Sequence, residues 1–219
     1  MLDNFQMILT RYSDLFIKGI GYTLLLALIA VVFGTIFGTL LSLMKMSKNK
    51  VLSTIATAYI ELFRNTPLLL QLYIFFFLLP EIGVNLSPFM AVSVGLVGNT
   101  TAYISEIIRS GIQAVDKGQM EAARSLGLNY SQAMRKVVLP QAMKNILPAL
   151  ANEFVTDIKE TSLASTFFVG DLMTAYRSIN GAIYLTLEPL FVVGVIYFIL
   201  SFTLSKAVAY LERRLSADE

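Results

Sequence analysis

The stretch Ile20-Gly-Tyr-Thr-Leu-Leu-Leu-Ala-Leu-Ile-Ala-Val-Val-Phe-Gly-Thr-Ile-Phe-Gly-Thr-Leu-Leu-Ser-Leu-Met44 runs for 25 residues without a charge. At ~1.5 Å per helical residue it exceeds the about 20 residues needed to cross the ~30 Å hydrocarbon core of a bilayer. Ile82 to Ser105 is another uncharged run, of 24 residues, and Pro189 to Ser205 is clean for 17. Val51 to Pro80 is broken only by Glu61 and Arg64, whereas Asn145 to Gly170 is apolar enough to span but carries four charges. Composition agrees: with 56% hydrophobic residues, 15% charged and a mean hydropathy of +0.68, the chain has too little polar surface to cover a soluble globule. The expected fold is an all-α membrane protein of five transmembrane helices, near residues 16–45, 51–80, 87–111, 141–167 and 187–210, in one domain over 1–219.

Five is odd, so the termini lie on opposite sides. With the N-terminus outside, the inner segments hold Lys45, Lys48, Lys50, Lys117, Arg124, Arg135, Lys136, Lys144, Lys206, Arg213 and Arg214. Those eleven stand against three outside, Arg11, Lys18 and Arg177, which sets the N-terminus outside and the C-terminus inside. The net charge of +2 reflects this asymmetry and gives no reason to expect nucleic acid. The apolar residues among the first eighteen suit a short amphipathic helix along the outer interface. Asp171 to Arg177 suggests a second interfacial helix, and the charged tail from Leu211 is expected to fray.

Several chemistries are excluded. The chain has neither cysteine nor histidine, which removes disulfides, Cys/His zinc sites and every histidine-dependent triad. It has no Gly-Lys pair and so no phosphate-binding P-loop, and no G-x-S-x-G nucleophile elbow. No catalytic residue, metal site or bound cofactor is expected. If ATP drives this protein, another subunit hydrolyses it.

The most polar connection joins the third and fourth apolar stretches. Asp116 with Gln119, and Asn129 with Gln132, read as helix N-caps with capping-box partners. Gly127 between them supplies the left-handed turn that ends a first short helix. Ala122 and Ala123 keep one side of that helix thin. Glu121-Ala122-Ala123, then Gly127 four residues on, then Val137, Leu139 and Pro140 resemble the "EAA loop" in the membrane subunits of binding-protein-dependent ABC importers. Glu61-Leu-Phe-Arg64-Asn-Thr-Pro67-Leu-Leu-Leu-Gln71-Leu resembles the second-helix signature of the polar amino acid subfamily. Lys159-Glu160-Thr161-Ser162-Leu163 resembles its fourth-helix signature.

The resemblance implies the transmembrane subunit of an ATP-driven amino acid importer in the bacterial cytoplasmic (inner) membrane. A coupling helix over about 113–140 would touch the ATPase through Glu121, Ala122, Ala123, Gly127, Leu139 and Pro140. Implied partners are two ABC ATPase subunits that carry the ATP and Mg, a second copy of this chain or a paralogous permease, an extracytoplasmic solute-binding protein, an amino acid and the lipid bilayer. Asp157 departs from the family pattern, which is more often apolar there.

Charges inside the membrane narrow the substrate. Glu153, Asp157 and Glu160 fall within a ~60° arc of one helical face. On insertion scales each mid-membrane acid costs about 2.5–3.5 kcal/mol, so the three require water, a cation or a basic partner. Internal pairing with Arg64, Arg109 or Lys159 is the structural alternative. Acids in or beside spans outnumber bases, which points to a basic amino acid (arginine, lysine or histidine); glutamine or glutamate is the alternative cargo. An ion-coupled secondary transporter also explains the acids but leaves the Glu121 loop without a role. Gly95, Gly98 and Asn99 to Thr101 are expected to weaken the third span or to let helices pack closely. Asn99 and Thr101 are the expected contacts for the substrate's α-amino or carboxylate group. Glu61 and Arg64, at i and i+3, are expected to pair, and Pro67 to kink the second span.

Single cysteines in this cysteine-free chain test the orientation. At Lys48 or Ser131 a cysteine should be shielded from a membrane-impermeant thiol reagent in intact cells, and at Asn85 or Ser178 it should label. The reverse pattern overturns the topology.

Overall fold

The computed structural model describes residues 2–216, with side chains from 3 to 214. It is all-helical among those residues: α1 Leu2–Arg11, α2 Ser13–Lys45, α3 Lys50–Arg64, α4 Leu68–Glu81, α5 Pro88–Gln113, α6 Lys117–Ser125 and α7 Tyr130–Ala133. A π-helical turn, Met134–Val138, then leads into α8 Leu139–Glu160. A 3-10 segment, Thr161–Phe167, is followed by α9 Leu172–Ile183 and α10 Leu187–Ser216. By length and composition α2 and α10 can each cross a membrane alone, and α3 with α4 adds a third crossing if the bent pair counts as one.

The centre of the fold is the contact of α2 with α5. Ala30, Gly34, Gly38 and Ser42 repeat every four residues and are all buried on one stripe of α2. A Cβ at Gly34 would sit 2.8 Å from Thr100 Cγ2, and one at Gly38 would sit 3.0 Å from the Thr101 carbonyl oxygen. Small residues at this spacing let two backbones approach closely where lipid gives no hydrophobic push. The same reading holds for the third apolar stretch. Its glycines do not break it, since α5 is continuous from Pro88 to Gln113. Instead Gly95 faces Leu72 and Gly98 faces Phe63, so α3 and α4 lie close against it.

The second stretch departs further from expectation. Rather than one kinked span, α3 and α4 meet at 106° across Asn65–Pro67. Proline lacks an N–H and pushes the preceding residue out of the helical region, so the helix stops at Arg64 and restarts beyond Pro67, whose ψ is 135°.

The N-terminal helix packs against the other helices. Ile8 is fully buried in a cluster with Phe16, Leu172, Ile179 and Val193, and Asn4 donates to Glu188 at 2.8 Å. The apolar face of α1 is thus covered by α9 and α10. Asp171 caps α9 through the Met173 N–H at 2.9 Å, and the Thr23 hydroxyl accepts from the Leu172 N–H at 3.1 Å, which fixes α9 on α2. The tail expected to fray continues α10 to Ser216; residues 217–219 lie outside the described residues.

Gly38→Leu should therefore destabilise the protein by about 1–3 kcal/mol, because the clash is with backbone that cannot rotate away. Gly21→Ala, with nothing within 4 Å of its Cβ, should be neutral. The check is the temperature at which detergent-solubilised protein stops eluting as a monodisperse species.

Candidate functional site

The acidic face forms as its spacing predicts, on a helix that is unbroken from Leu139 to Glu160 despite Pro148. Asp157 is fully buried, and Glu153 and Glu160 are partly so. The Thr100 hydroxyl reaches both Asp157 carboxylate oxygens, at 3.1 and 3.2 Å. Among the described residues none of the three acids is in a salt bridge. None of the candidate bases stands within ion-pair distance of them: Arg64 and Arg109 turn to Glu106, and Lys159 is on the exposed side.

Glu106 instead collects the cations. Lys45 Nζ lies 2.8 Å away, Arg109 Nη2 2.8 Å and Arg64 Nη1 3.6 Å. This corrects the expected Glu61–Arg64 pair. Glu61 is exposed, whereas the Glu106 side chain is only 15% accessible. A shielded carboxylate gains more from a cation than one in water does. The Arg64 guanidinium also stands 5.5 Å from the centre of the Tyr103 ring.

The α3/α4 break is fastened by Gln71, a residue the sequence does not single out for this role. Its Nε2 donates to the Phe63 carbonyl (2.8 Å), the Thr66 carbonyl (3.1 Å) and the Thr66 hydroxyl (2.9 Å), which satisfies the open end of α3. Its Oε1 accepts from Asn99 Nδ2 at 2.8 Å. Asn99 and Thr100, adjacent on α5, therefore hold two different parts of one neighbourhood: the break through Gln71, and the acidic face through Asp157. The first N–H groups of α4 have no side-chain cap.

Thr101 is not part of that neighbourhood. One residue further round the helix, it lines an apolar cavity of about 430 Å³ with Phe37, Met44, Tyr59 and Phe63. Thr100, beside Gly34 of α2, is the threonine that reaches Asp157 on α8.

The polar connection folds as short helices. Asp116 caps α6 through the Gly118 N–H at 2.7 Å, while Gln119 does not close a box with it; its Oε1 accepts from Gln141 Nε2 at 3.2 Å. Asn129 and Gln132 form the full capping box. Gly127 has φ +90°, the left-handed turn expected of it. Glu121 and Ala122 are exposed, Ala123 is buried, and Glu121, Arg124, Gly127 and Asn129 line a surface depression of about 480 Å³. Leu139 and Pro140 open α8 directly after the π turn.

Comparisons with known proteins agree in kind. The family described as "binding-protein-dependent transport system inner membrane component" matches residues 30–217. The arginine transport system permease protein ArtQ of Bacillus subtilis (strain 168) is 41% identical over 204 residues, 93% of each chain. A probable glutamine ABC transporter permease protein, GlnM, from the same organism is 40% identical over 98% of this chain and 96% of that one. Among solved structures, an amino acid ABC transporter with histidines superposes with a TM-score of 0.92 at 44% identity, over 95% of this chain and 97% of that one. An inward-facing structure of the MetNI methionine ABC transporter shares the fold, with a TM-score of 0.76 at 21% identity.

Gln71→Leu should leave the Phe63 and Thr66 carbonyls and the Asn99 amide buried without their partner. Each such group costs about 1–3 kcal/mol, so the variant should melt well below wild type. Gln71→Leu melting with wild type would show that the break is held by other contacts.

Proposed function

Because the chain belongs to the binding-protein-dependent transport system inner membrane component family, we propose that it is the five-span translocating subunit of an ATP-driven importer of basic amino acids. It is an amino acid ABC permease and not an enzyme, with ATP hydrolysed in a separate subunit. The observation that carries the substrate class is Asp157: a fully buried carboxylate with a threonine hydroxyl for company and no counter-ion. An arginine, lysine or histidine side chain would bring the missing positive charge, with Glu153 and Glu160 one turn to either side. The substrate's own carboxylate would then meet the uncapped amino end of α4, where the helix dipole favours an anion. The adjacent tethers at Asn99 and Thr100 support placing these two half-sites side by side.

The rest of the reading follows from this arrangement. The five crossings would be α2, α3 with α4, α5, α8 and α10, with the N-terminus outside. The α6 helix, carrying Glu121, Ala122 and Ala123 and turned by Gly127, would dock on an ATPase subunit, with Leu139 and Pro140 at the root of the adjoining span. One chain of this size cannot enclose a path, so two copies, or this chain and a paralogue, would surround it, with two ATPases below and a solute-binding protein above. Import then requires that the substrate bind one of two alternating states more tightly. Similarity to GlnM supports a second reading, a neutral cargo such as glutamine, with the acids serving structure or gating.

Asp157→Asn distinguishes them. Breaking a desolvated charge pair on one side costs about 3–5 kcal/mol, so arginine and lysine uptake by vesicles containing the complete transporter should fall by at least about tenfold even after solvent screening. Glutamine uptake, measured in parallel, should fall far less. Equal losses for charged and neutral amino acids would remove the cationic pocket.

A further inference from the structure

The base of α8 is built unusually. Between the capped turn of α7 and the first α-helical turn of α8, Met134–Val138 is wound as a π helix, and the Leu139 N–H reaches back to the Met134 carbonyl. Pro140 follows and has no N–H to offer the turn before it. Extra-residue turns of this kind collect at functional sites, where a helix must change pitch without losing its backbone bonds.

Gln141 closes this turn from outside. Its Nε2 donates to the Val137 carbonyl at 3.0 Å, inside the π turn, and to Gln119 Oε1 at 3.2 Å on α6. One amide thus links the turn, the root of α8 and the α6 helix. Ala142, the next residue, is fully buried against Ile104, Ile108 and Ile146, so the root of α8 is anchored on α5. From Gln141 the helix continues to Asp157 as one piece, sixteen residues or ~24 Å at 1.5 Å per residue.

We propose that Gln141 and Gln119 are positioning residues that form a coupling strut: they transmit displacement of α6 to the π turn and so to the helix that carries Asp157. The proposal rests on the reading of α6 as the ATPase-docking helix. Neither glutamine touches substrate. The strut works because the π turn is the compliant part: Pro140 lacks the N–H that would tie the first turn of α8 back to it, and the Gln141 amide bridges the Val137 carbonyl to Gln119. Without the Gln119 anchor, a push on α6 would be absorbed in the turn and α8 would not follow. In water one exposed amide pair contributes little, but a docked ATPase covering α6 would shield the bond and strengthen it.

The test uses the complete transporter in proteoliposomes, with amino acid uptake and ATP hydrolysis measured on the same sample. The variants are Gln119→Leu, Gln141→Leu and Gln119→Glu. The leucine variants remove the bond, whereas a glutamate at 119 still accepts from Gln141 and does so more strongly. Amino acid molecules carried per ATP should fall about fivefold or more in both leucine variants, the scale of an ordinary coupling free energy, with the ATPase still co-purifying. Gln119→Glu should restore the ratio. The ratio is read with whichever of labelled arginine or glutamine the wild type carries, so the strut and the substrate assignment fail independently. Leucine variants with the wild-type ratio would overturn the strut. So would loss of the ATPase from Gln119→Leu, which would make Gln119 a docking contact instead.

Discussion

The absence of a side chain at Gly34 and Gly38 is the constraint from which the rest of the site follows. With only hydrogen at these positions, α2 approaches α5 until the Thr100 and Ile104 side chains and the Thr101 backbone fill the gap. That contact sets the rotation of α5 about its own axis. Rotation in turn decides that Asn99 faces the broken second stretch, that Thr100 faces α8 and that Glu106 faces the cations of α2 and α3. A turn of one residue, about 100°, would exchange these partners and leave a buried carboxylate against hydrocarbon.

Polar groups at depth are treated in two opposite ways. At the α3/α4 break Gln71 gives the Phe63 and Thr66 carbonyls a partner. Glu106 is over-supplied, with three cations around one carboxylate. The acidic face is under-supplied. Arg64 and Arg109 are placed on the other cluster, and Lys159 is on the exposed side. On the proposed reading that separation directs a basic substrate to α8, because Lys45, Arg64 and Arg109 already neutralise Glu106.

Much of this is legible in the chain because it depends on near neighbours in sequence. The helices, the capping box at Asn129 and Gln132, the left-handed Gly127 and the shared face of Glu153, Asp157 and Glu160 follow from local geometry alone. What the sequence withholds is set by approach between distant segments. Glu61 is the nearer partner for Arg64 along α3, but the proximity of α3 to α5 offers it Glu106. Thr100 and Thr101 are equivalent letters until the glycines of α2 choose between them. Pro67 announces an interruption, while its 106° bend is fastened by Gln71, which Asn99 holds in turn.

On the proposed reading, the acidic face also bears on how one helix would report both substrate and ATP. Asp157 is buried with a single hydroxyl donor, the Thr100 side chain. On the proposed reading, a cation bound there would favour whichever arrangement of α8 admits it, by the difference in its affinity for the two. The other end of the same helix begins at the π turn beside α6. On the proposed reading, a preference established at Asp157 and a push delivered at Gln141 would thus act on one helix. Two sites on a single body need no relay of intermediate residues to influence one another; they need only that the body have two resting places.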